Sequence, residues 1–133
     1  MSFVVDNSVV VGWYIASQAD SLSGDLLDKA ITEDIYVPTI WRAEFANVLL
    51  VFTHNRRLQP AQVASIIEQI EMLELIVDSA PPSVRTLVEL GRRHSLGAYD
   101  AAYLELAMRL RLPLAARDGA LRQAANRAGI NVE

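Results

Sequence analysis

The stretch Phe3-Val4-Val5-Asp6-Asn7-Ser8-Val9 sets three apolar residues directly before an acid, near the start of the chain. A short and continuous apolar run is typical of a strand that is buried on both faces of a sheet. Residues 9–16 follow it and are expected to begin a helix. Asp6 is therefore predicted to lie at the end of the first strand, where the chain turns into the first helix.

The same alternation of strand and helix continues along the whole chain, with no repeat, linker or low-complexity tract. This order predicts one α/β domain over residues 1–133, a three-layer sandwich with a central parallel sheet between helical layers. Ligands of such sheets bind at the carboxyl ends of the strands. Further short strands are predicted at residues 35–37, 75–77, 113–116 and 131–132, and helices at 22–30, 40–53, 60–73, 82–93, 99–110 and 118–128.

Composition restricts the chemistry that this chain can carry out. It has 133 residues, of which 52% are hydrophobic and 21% charged, as expected of a globular domain with a substantial core. The absence of cysteine excludes disulfides, thiolate zinc sites and cysteine nucleophiles. His54 and His94 are the only histidines, so any metal is expected to be a hard cation held by oxygen atoms.

Charge and hydropathy predict where the protein works and what it binds. The first residues lack the pattern of a signal peptide, and the apolar run at residues 9–16 is too short to cross a bilayer. A cytoplasmic protein without a membrane partner is therefore expected. The net charge of −4 argues against nucleic-acid binding through overall charge. Lys29 is the only lysine, however, and arginine suits planar recognition of phosphate, so a local basic rim remains open.

Four acids stand out, and each has a plain structural explanation as well as a functional one. Asp6 and Asp118 each follow a predicted strand and could simply cap the next helix. Asp100 falls in the first turn of a helix, where the helix dipole favours an acid. Glu44 lies on a helix that is apolar almost all round, so it is expected to be buried and to need a partner. Asn47 shares its narrow polar stripe.

Taken together, the four acids favour a shared site. Asp6 and Asp118 follow strands of the same parallel sheet, and Asp100 could point to the same edge. Carboxylates that converge there would repel one another and raise one another's pKa values. A divalent cation relieves that repulsion, and Mg²⁺ prefers oxygen ligands.

These motifs resemble those of the PIN-domain ribonucleases, in their order and spacing over essentially the whole chain. Among PIN domains, the sequence is most similar to the toxins of VapBC-type toxin–antitoxin pairs. The most specific match is the motif at residues 96–103. The four matching stretches are Val4-Val5-Asp6-Asn7-Ser8-Val9, Glu44-Phe45-Ala46-Asn47, Leu96-Gly97-Ala98-Tyr99-Asp100-Ala101-Ala102-Tyr103 and Pro113-Leu114-Ala115-Ala116-Arg117-Asp118.

The resemblance implies hydrolysis of single-stranded or loop RNA that leaves a 5′-phosphate and a 3′-hydroxyl. It implies that Asp6, Glu44, Asp100 and Asp118 are the catalytic acids that hold Mg²⁺, with Mn²⁺ as a substitute. Ser8 matches a hydroxyl that supports the metal or the phosphate. The expected partners are the RNA substrate, a cognate antitoxin and a second copy of the chain. Asn47 matches a position whose role is less defined, at the periphery of the site.

Two positions depart from the family pattern. Ala116 stands two residues before the last aspartate, where members often carry threonine, so a supporting hydroxyl is missing. No further acid follows Asp118 closely, which favours one tightly bound Mg²⁺ over a well-formed pair of metal ions.

Several basic residues flank the acids along the chain. Arg92, Arg93 and His94 precede the Asp100 motif and either contact the RNA backbone or simply end a helix, where cations suit the dipole. Arg117 precedes Asp118 and either binds phosphate or pairs with an acid. His94 is a weak candidate for a general base, because a metal site makes a side-chain base unnecessary.

Other functions compete with the nuclease. A PIN fold without activity, serving as a binding module, stays open because of Ala116. A phosphotransfer enzyme with Asp6 as nucleophile is disfavoured, since Ser8 stands where such enzymes carry a second aspartate. A nuclease that acts on DNA cannot be separated from one that acts on RNA, because nothing in the sequence reads a 2′-hydroxyl.

Overall fold

The computed structural model describes residues 2–133, and within them a parallel sheet lies between layers of helices. The strands are β1 (Phe3–Val5), β2 (Ile35–Val37), β3 (Ile76–Val77) and β4 (Leu114–Ala115). The helices are α1 (Asn7–Tyr14), α2 (Ser21–Ala30), α3 (Trp41–His54), α4 (Pro60–Met72), α5 (Val84–His94), α6 (Ala98–Leu110) and α7 (Gly119–Arg127), with a short 3-10 turn at Ala16–Gln18. The three-layer α/β/α prediction is confirmed.

The sheet has the order β3-β2-β1-β4, and every pairing is parallel. Val4 on the central strand pairs with Tyr36 on one side and Leu114 on the other. The strand predicted at residues 131–132 is reduced to a single parallel bridge between Val132 and Leu114. The carboxyl ends of β1 and β4 therefore lie side by side, and the chain leaves them at Asp6 and just before Asp118.

The core forms around the central strand. Phe3, Val4 and Val5 are buried, as the apolar run predicts. Helix α6 packs against β1 and buries Leu104 completely. This helix carries Asp100 in its first turn, so the packing that forms the core also fixes one of the candidate acids.

Helix α3 differs from its prediction. Its apolar composition predicts a largely buried helix, but the buried residues are Trp41, Phe45 and Leu49, all on one side. Leu50 is 65% exposed and Val51 is 44% exposed. The helix packs against α1 and α4, and these neighbours cover only that side. The composition of a helix shows how apolar it is, but not how many other helices and strands pack against it.

Among residues 2–133, no helix combines the length and the apolar character needed to cross a membrane.

Candidate active site

Asp6 combines a structural role with a place in the site. It follows β1 directly and is the N-cap of α1, where its Oδ2 accepts a hydrogen bond from the Ser8 backbone N–H at 3.4 Å. The Ser8 hydroxyl donates to the same oxygen at 2.6 Å. Because the cap starts the helix at once, α1 begins at Asn7 rather than near Val9 as predicted. The side chain is only 7% exposed.

Asp118 holds the equivalent position after β4. It is the N-cap of α7, and its Oδ2 accepts a hydrogen bond from the Leu121 backbone N–H at 3.0 Å. The residue is exposed, in contrast to Asp6. The plain explanation of both aspartates as helix caps is thus correct, and any role in a shared site is additional to it.

Glu44 lies in the first turn of α3 and is half-buried. Its Oε1 accepts a hydrogen bond of 2.7 Å from the hydroxyl of Tyr103, a fully buried residue of α6. The partner that a carboxylate needs on such a helix is therefore a neutral hydroxyl. Glu44 forms no ion pair with Arg42 or Arg117 among the described residues.

Asp100 stands one turn before Tyr103 on α6 and is half-buried. Within residues 2–133 its side chain forms neither a hydrogen bond nor an ion pair. Helix α6 therefore positions both acids. It carries Asp100 itself, and its residue Tyr103 holds Glu44 by a hydrogen bond.

Three of the four predicted acids open into one cavity of about 340 Å³. Asp118 is not part of its wall. Arg117 is the one basic residue among the described residues that form this wall. The lining residues are Asp6, Asn7, Ser8, Val11, Gln18, Glu44, Val48, Phe52, Asp100 and Arg117.

The acids influence one another electrostatically. Burial raises the pKa of Asp6, and the charge of Asp118 raises it further, although hydrogen bonds from Ser8 and Asn7 oppose the shift. Burial also raises the pKa of Glu44, with repulsion from Asp6 and Asp100 in addition. The pKa of Asp100 is raised by burial and then by Asp6 and Asp118. All four acids therefore belong to one field of negative charge, including Asp118 outside the cavity.

The donor set fits a hard divalent cation, because every candidate ligand is a carboxylate oxygen. However, within residues 2–133 no three His, Cys, Asp or Glu side chains are grouped closely enough to hold a metal ion. Three of the acids instead direct an oxygen to a local donor: Asp6 to Ser8, Glu44 to Tyr103 and Asp118 to the backbone of α7. Binding a cation would require the side chains to rotate toward it, and attraction to the cation, which also relieves the repulsion between the acids, would provide the driving force.

The remaining predicted site residues separate into those at the cavity and those away from it. Arg117 lines the cavity, and its Nη1 donates to the Gln18 carbonyl and lies 3.4 Å from Asp20 Oδ2. Asn47 is exposed and does not reach the cavity wall. Ser8 lies within the site, bound to Asp6. Their functional roles stay predictions.

The basic group before Asp100 lies at the end of α5, as its plain explanation requires. Arg92, Arg93 and His94 form the last turn of that helix. Arg92 and Arg93 are exposed and His94 is buried, and Arg93 and His94 line a second cavity. His94 is absent from the wall of the acidic cavity, so the structure gives no support to its weak candidacy as a general base.

Sequence reasoning missed two polar members of the site. Tyr103 belongs to the motif at residues 96–103, and its spacing of three from Asp100 is the signal that places both residues on neighbouring turns of one helix face. Asn7 lines the cavity, and its Oδ1 is buried without a hydrogen-bond partner among residues 2–133. No sequence signal distinguishes Asn7 from an ordinary first residue of a helix.

Comparison with known proteins identifies the family. The sequence profile of the PIN domain matches residues 3–127. The chain belongs to the PIN domain family. PIN domains are generally nucleases that use divalent metals, and this PIN domain has the acids for such chemistry. The resemblance drawn from the four motifs is confirmed.

Solved structures share the fold at low sequence identity. PAE2754 from Pyrobaculum aerophilum superimposes with a TM-score of 0.73 at 18% identity, covering 99% of this chain and 83% of that one. FitAcB from Neisseria gonorrhoeae gives 0.68 at 20%, covering 99% and 96%. VapBC2 from Rickettsia felis, bound to a DNA fragment from its promoter, gives 0.66 at 19%, covering 100% and 98%. A comparison with curated protein sequences gives no match.

Proposed function

We propose that this PIN domain is a Mg²⁺-dependent endoribonuclease that hydrolyses RNA phosphodiester bonds, and that it is the toxin of a toxin–antitoxin pair. The observation that carries the proposal is the convergence of Asp6, Glu44 and Asp100 on one cavity, within a field that includes Asp118. Acids that raise one another's pKa values are well explained by a cation that they hold in the working enzyme.

Each acid has a separate support within the chain. Ser8 donates its hydroxyl proton to Asp6 Oδ2 and so fixes the orientation of that carboxylate. Tyr103 does the same for Glu44 through Oε1. In the proposed mechanism Asp6, Glu44, Asp100 and Asp118 hold Mg²⁺, for which Mn²⁺ can substitute. When bound, the cation lowers the pKa of a water molecule and neutralises charge on the phosphodiester.

Arg117 is proposed to bind the phosphate of the substrate. It lines the same cavity as three of the acids, and the Gln18 carbonyl and Asp20 hold one of its guanidinium nitrogens. The remaining donors of the planar guanidinium suit a phosphate oxygen. An RNA substrate, rather than DNA, is proposed from the family resemblance, and the cytoplasm is the compartment where such a substrate would be met.

The test is to incubate total RNA with wild type and with Asp6→Asn, in Mg²⁺ or Mn²⁺, and to map the ends. The variant is well matched, because asparagine caps helices as well as aspartate does while removing the charge. We expect new 5′-phosphate ends with wild type only. Cleavage by neither protein would favour the alternative of a PIN-fold binding module, and equal cleavage by both would remove Asp6 from the mechanism.

The toxin assignment has a test of its own. Expressed alone in bacteria, the wild-type chain is expected to slow growth, whereas Asp6→Asn at equal soluble expression is not. Equal growth with both proteins would contradict toxicity while leaving the cleavage assay to decide on the nuclease.

The antitoxin is proposed to bind in an apolar groove beside α3. A groove of about 410 Å³ runs between α3, α4 and β3, with Trp41, Phe45, Leu49, Ile70 and Val77 among its lining residues. An apolar segment of an antitoxin is the occupant we propose, because exposed apolar surface of this kind marks interaction sites. A homodimer is also proposed, and its mass in solution is the measurement that tests it.

A further inference from the structure

A second polar cavity, of about 370 Å³, lies where the end of α5 meets one side of α7. Its wall does not share a residue with the acidic cavity. Helix α5 and the loop after it contribute Arg93, His94 and Ser95, and α7 contributes Ala120, Gln123 and Arg127 along successive turns. The polar groups thus come from two separate elements and point into one space.

His94 is the buried member of this cavity. It is only 8% exposed, and its Nδ1 is buried without a hydrogen-bond partner among residues 2–133. Buried polar atoms of native proteins nearly always have a partner, and an unpaired one is costly. A ligand in the cavity would supply the missing partner.

The two arginines beside His94 have no ion-pair partner among the described residues. Neither Arg93 nor Arg127 forms an ion pair or a hydrogen bond within the described part of the chain. Burial lowers the pKa of His94, and the charges of Arg127 and Arg93 lower it further. Arg93 and Arg127 each lie in the last turn of a helix, where the helix dipole favours a cation, but they reach the same cavity from two different helices. A bound anion would relieve this repulsion in a chain whose net charge is −4.

The cavity adjoins the two segments that carry acids of the active site. Ser95 lies five residues before Asp100, in the turn that leads into α6. Ala120 lies two residues after Asp118, in the first turn of α7. Helices α6 and α7 pack against each other. Both walls of the basic cavity are therefore continuous in sequence with segments that carry acids of the active site.

We propose that Arg93, His94, Gln123 and Arg127 form a binding site for a backbone phosphate of single-stranded nucleic acid, separate from the phosphate that is cleaved. The identity of the ligand as nucleic acid rests on the proposed function. The two guanidinium groups provide planar forks for the phosphate oxygens, and a protonated His94 donates from Nδ1. The site positions the substrate strand and takes no part in bond cleavage.

The two histidines allow a direct test by NMR, because the imidazole signal of exposed His54 serves as an internal control for that of His94. The probe is a 2′-O-methyl hexanucleotide in EDTA, which needs neither metal nor cleavage. We expect the His94 signal to shift saturably and its pKa to rise, while His54 is unchanged. A parallel titration uses inorganic phosphate.

Arg127→Gln tests the site itself, with Arg85→Gln at the opposite end of α5 as the matched control. The variant is expected to abolish the His94 response. It is also expected to reduce the slope of log affinity against log salt by about 0.7, the value for one phosphate contact of a single strand. The control should change neither quantity.

Three results would overturn the proposal. The first is an equal shift of the His54 and His94 signals. The second is no shift of the His94 signal with the oligonucleotide. The third is a His94 signal that responds to inorganic phosphate but not to the oligonucleotide. Because the titration contains no metal, it can be interpreted even if the nuclease assay shows no cleavage. A negative titration, in turn, does not contradict the nuclease proposal.

Discussion

The hydroxyl of Tyr103 donates to Oε1 of Glu44 at 2.7 Å, joining two residues that are 59 positions apart in sequence. Burial and the neighbouring Glu44 carboxylate raise the pKa of Tyr103, so the hydroxyl keeps its proton and remains a donor. A neutral donor holds the carboxylate in place without cancelling its charge. The interaction therefore orients Glu44 and leaves its negative charge available to bind a cation.

Glu44→Gln is expected to abolish cleavage while sparing, or even raising, the stability of the metal-free protein. The amide oxygen of glutamine can still accept the Tyr103 hydroxyl, and the variant removes a charge that Asp6 and Asp100 repel. The measurement is chemical denaturation in EDTA, with RNA cleavage assayed in Mg²⁺.

Tyr103→Phe is the control for that experiment. It removes the donor and leaves a partly buried acceptor, so it should lower the free energy of unfolding by about 1–2 kcal/mol. Had Glu44 belonged to a buried ion pair, its replacement would cost about 3–5 kcal/mol. A Glu44→Gln protein with a loss of that size that still cleaves RNA would contradict the catalytic assignment.

Mg²⁺ or Mn²⁺ is expected to raise the melting temperature of the wild-type protein. A ligand that binds only the folded state stabilises it by about 2.7 kcal/mol at a hundredfold excess over Kd. Asp100→Asn should reduce this shift strongly, whereas Asp28→Asn, at an exposed position of α2, should keep it. Thermal melts with and without millimolar Mn²⁺ make the comparison, and equal melting in all cases would remove the shared metal site.

The stability of the metal-free protein should depend on pH through these acids. A carboxyl whose pKa is raised on folding stabilises the folded state below its unfolded pKa, and this contribution is lost as the pH rises through the folded pKa. The pKa of Asp100 is raised above its ordinary value of 3.8. Asp100→Asn, which cannot ionise, should therefore gain stability relative to wild type as the pH increases.

Urea denaturation in EDTA at about pH 4.5 and about pH 7.5 measures this difference. Taking the difference between variant and wild type cancels the contributions of other acids, such as Asp78, whose pKa is lowered by Arg109 and which act in the opposite direction. A difference that is constant with pH, or that falls as the pH rises, would show that Asp100 is not in a field of repelling charges.

Much of the fold follows from local pattern. The apolar run at residues 3–5 predicts β1 closely, because burial on both faces of a sheet requires consecutive apolar residues. The Pro at the start of α4 predicts that helix start, because its fixed backbone angle suits the first helical position. The last strand was harder to predict. Val132 makes only one bridge to Leu114. No local feature of residues 131–132 determines how many residues of the neighbouring strand they can pair with.

The site was predictable in its charges but not in its contacts. Acids after strands of a parallel sheet must reach the same edge, so Asp6 and Asp118 could be placed from sequence order alone. The partner of Glu44 could not, because the Tyr103 interaction depends on how α3 and α6 pack. The same limit applies to Arg127, which reaches the basic cavity only because α7 lies beside the end of α5.

At Asp118 a structural role can be tested separately from a catalytic one, because this residue caps α7 and lies outside the cavity wall. Asp118→Asn keeps a capping oxygen and removes the charge, whereas Asp118→Ala also removes the cap and should cost about 1 kcal/mol. If Asp118 holds the metal, both variants lose cleavage and the metal-dependent rise in melting temperature, but only the alanine variant is destabilised in EDTA. Ser83→Ala, which removes the cap of α5, is the control that should lose stability and keep cleavage. An Asp118→Asn protein that cleaves like wild type and retains the full metal shift would reduce Asp118 to a helix cap.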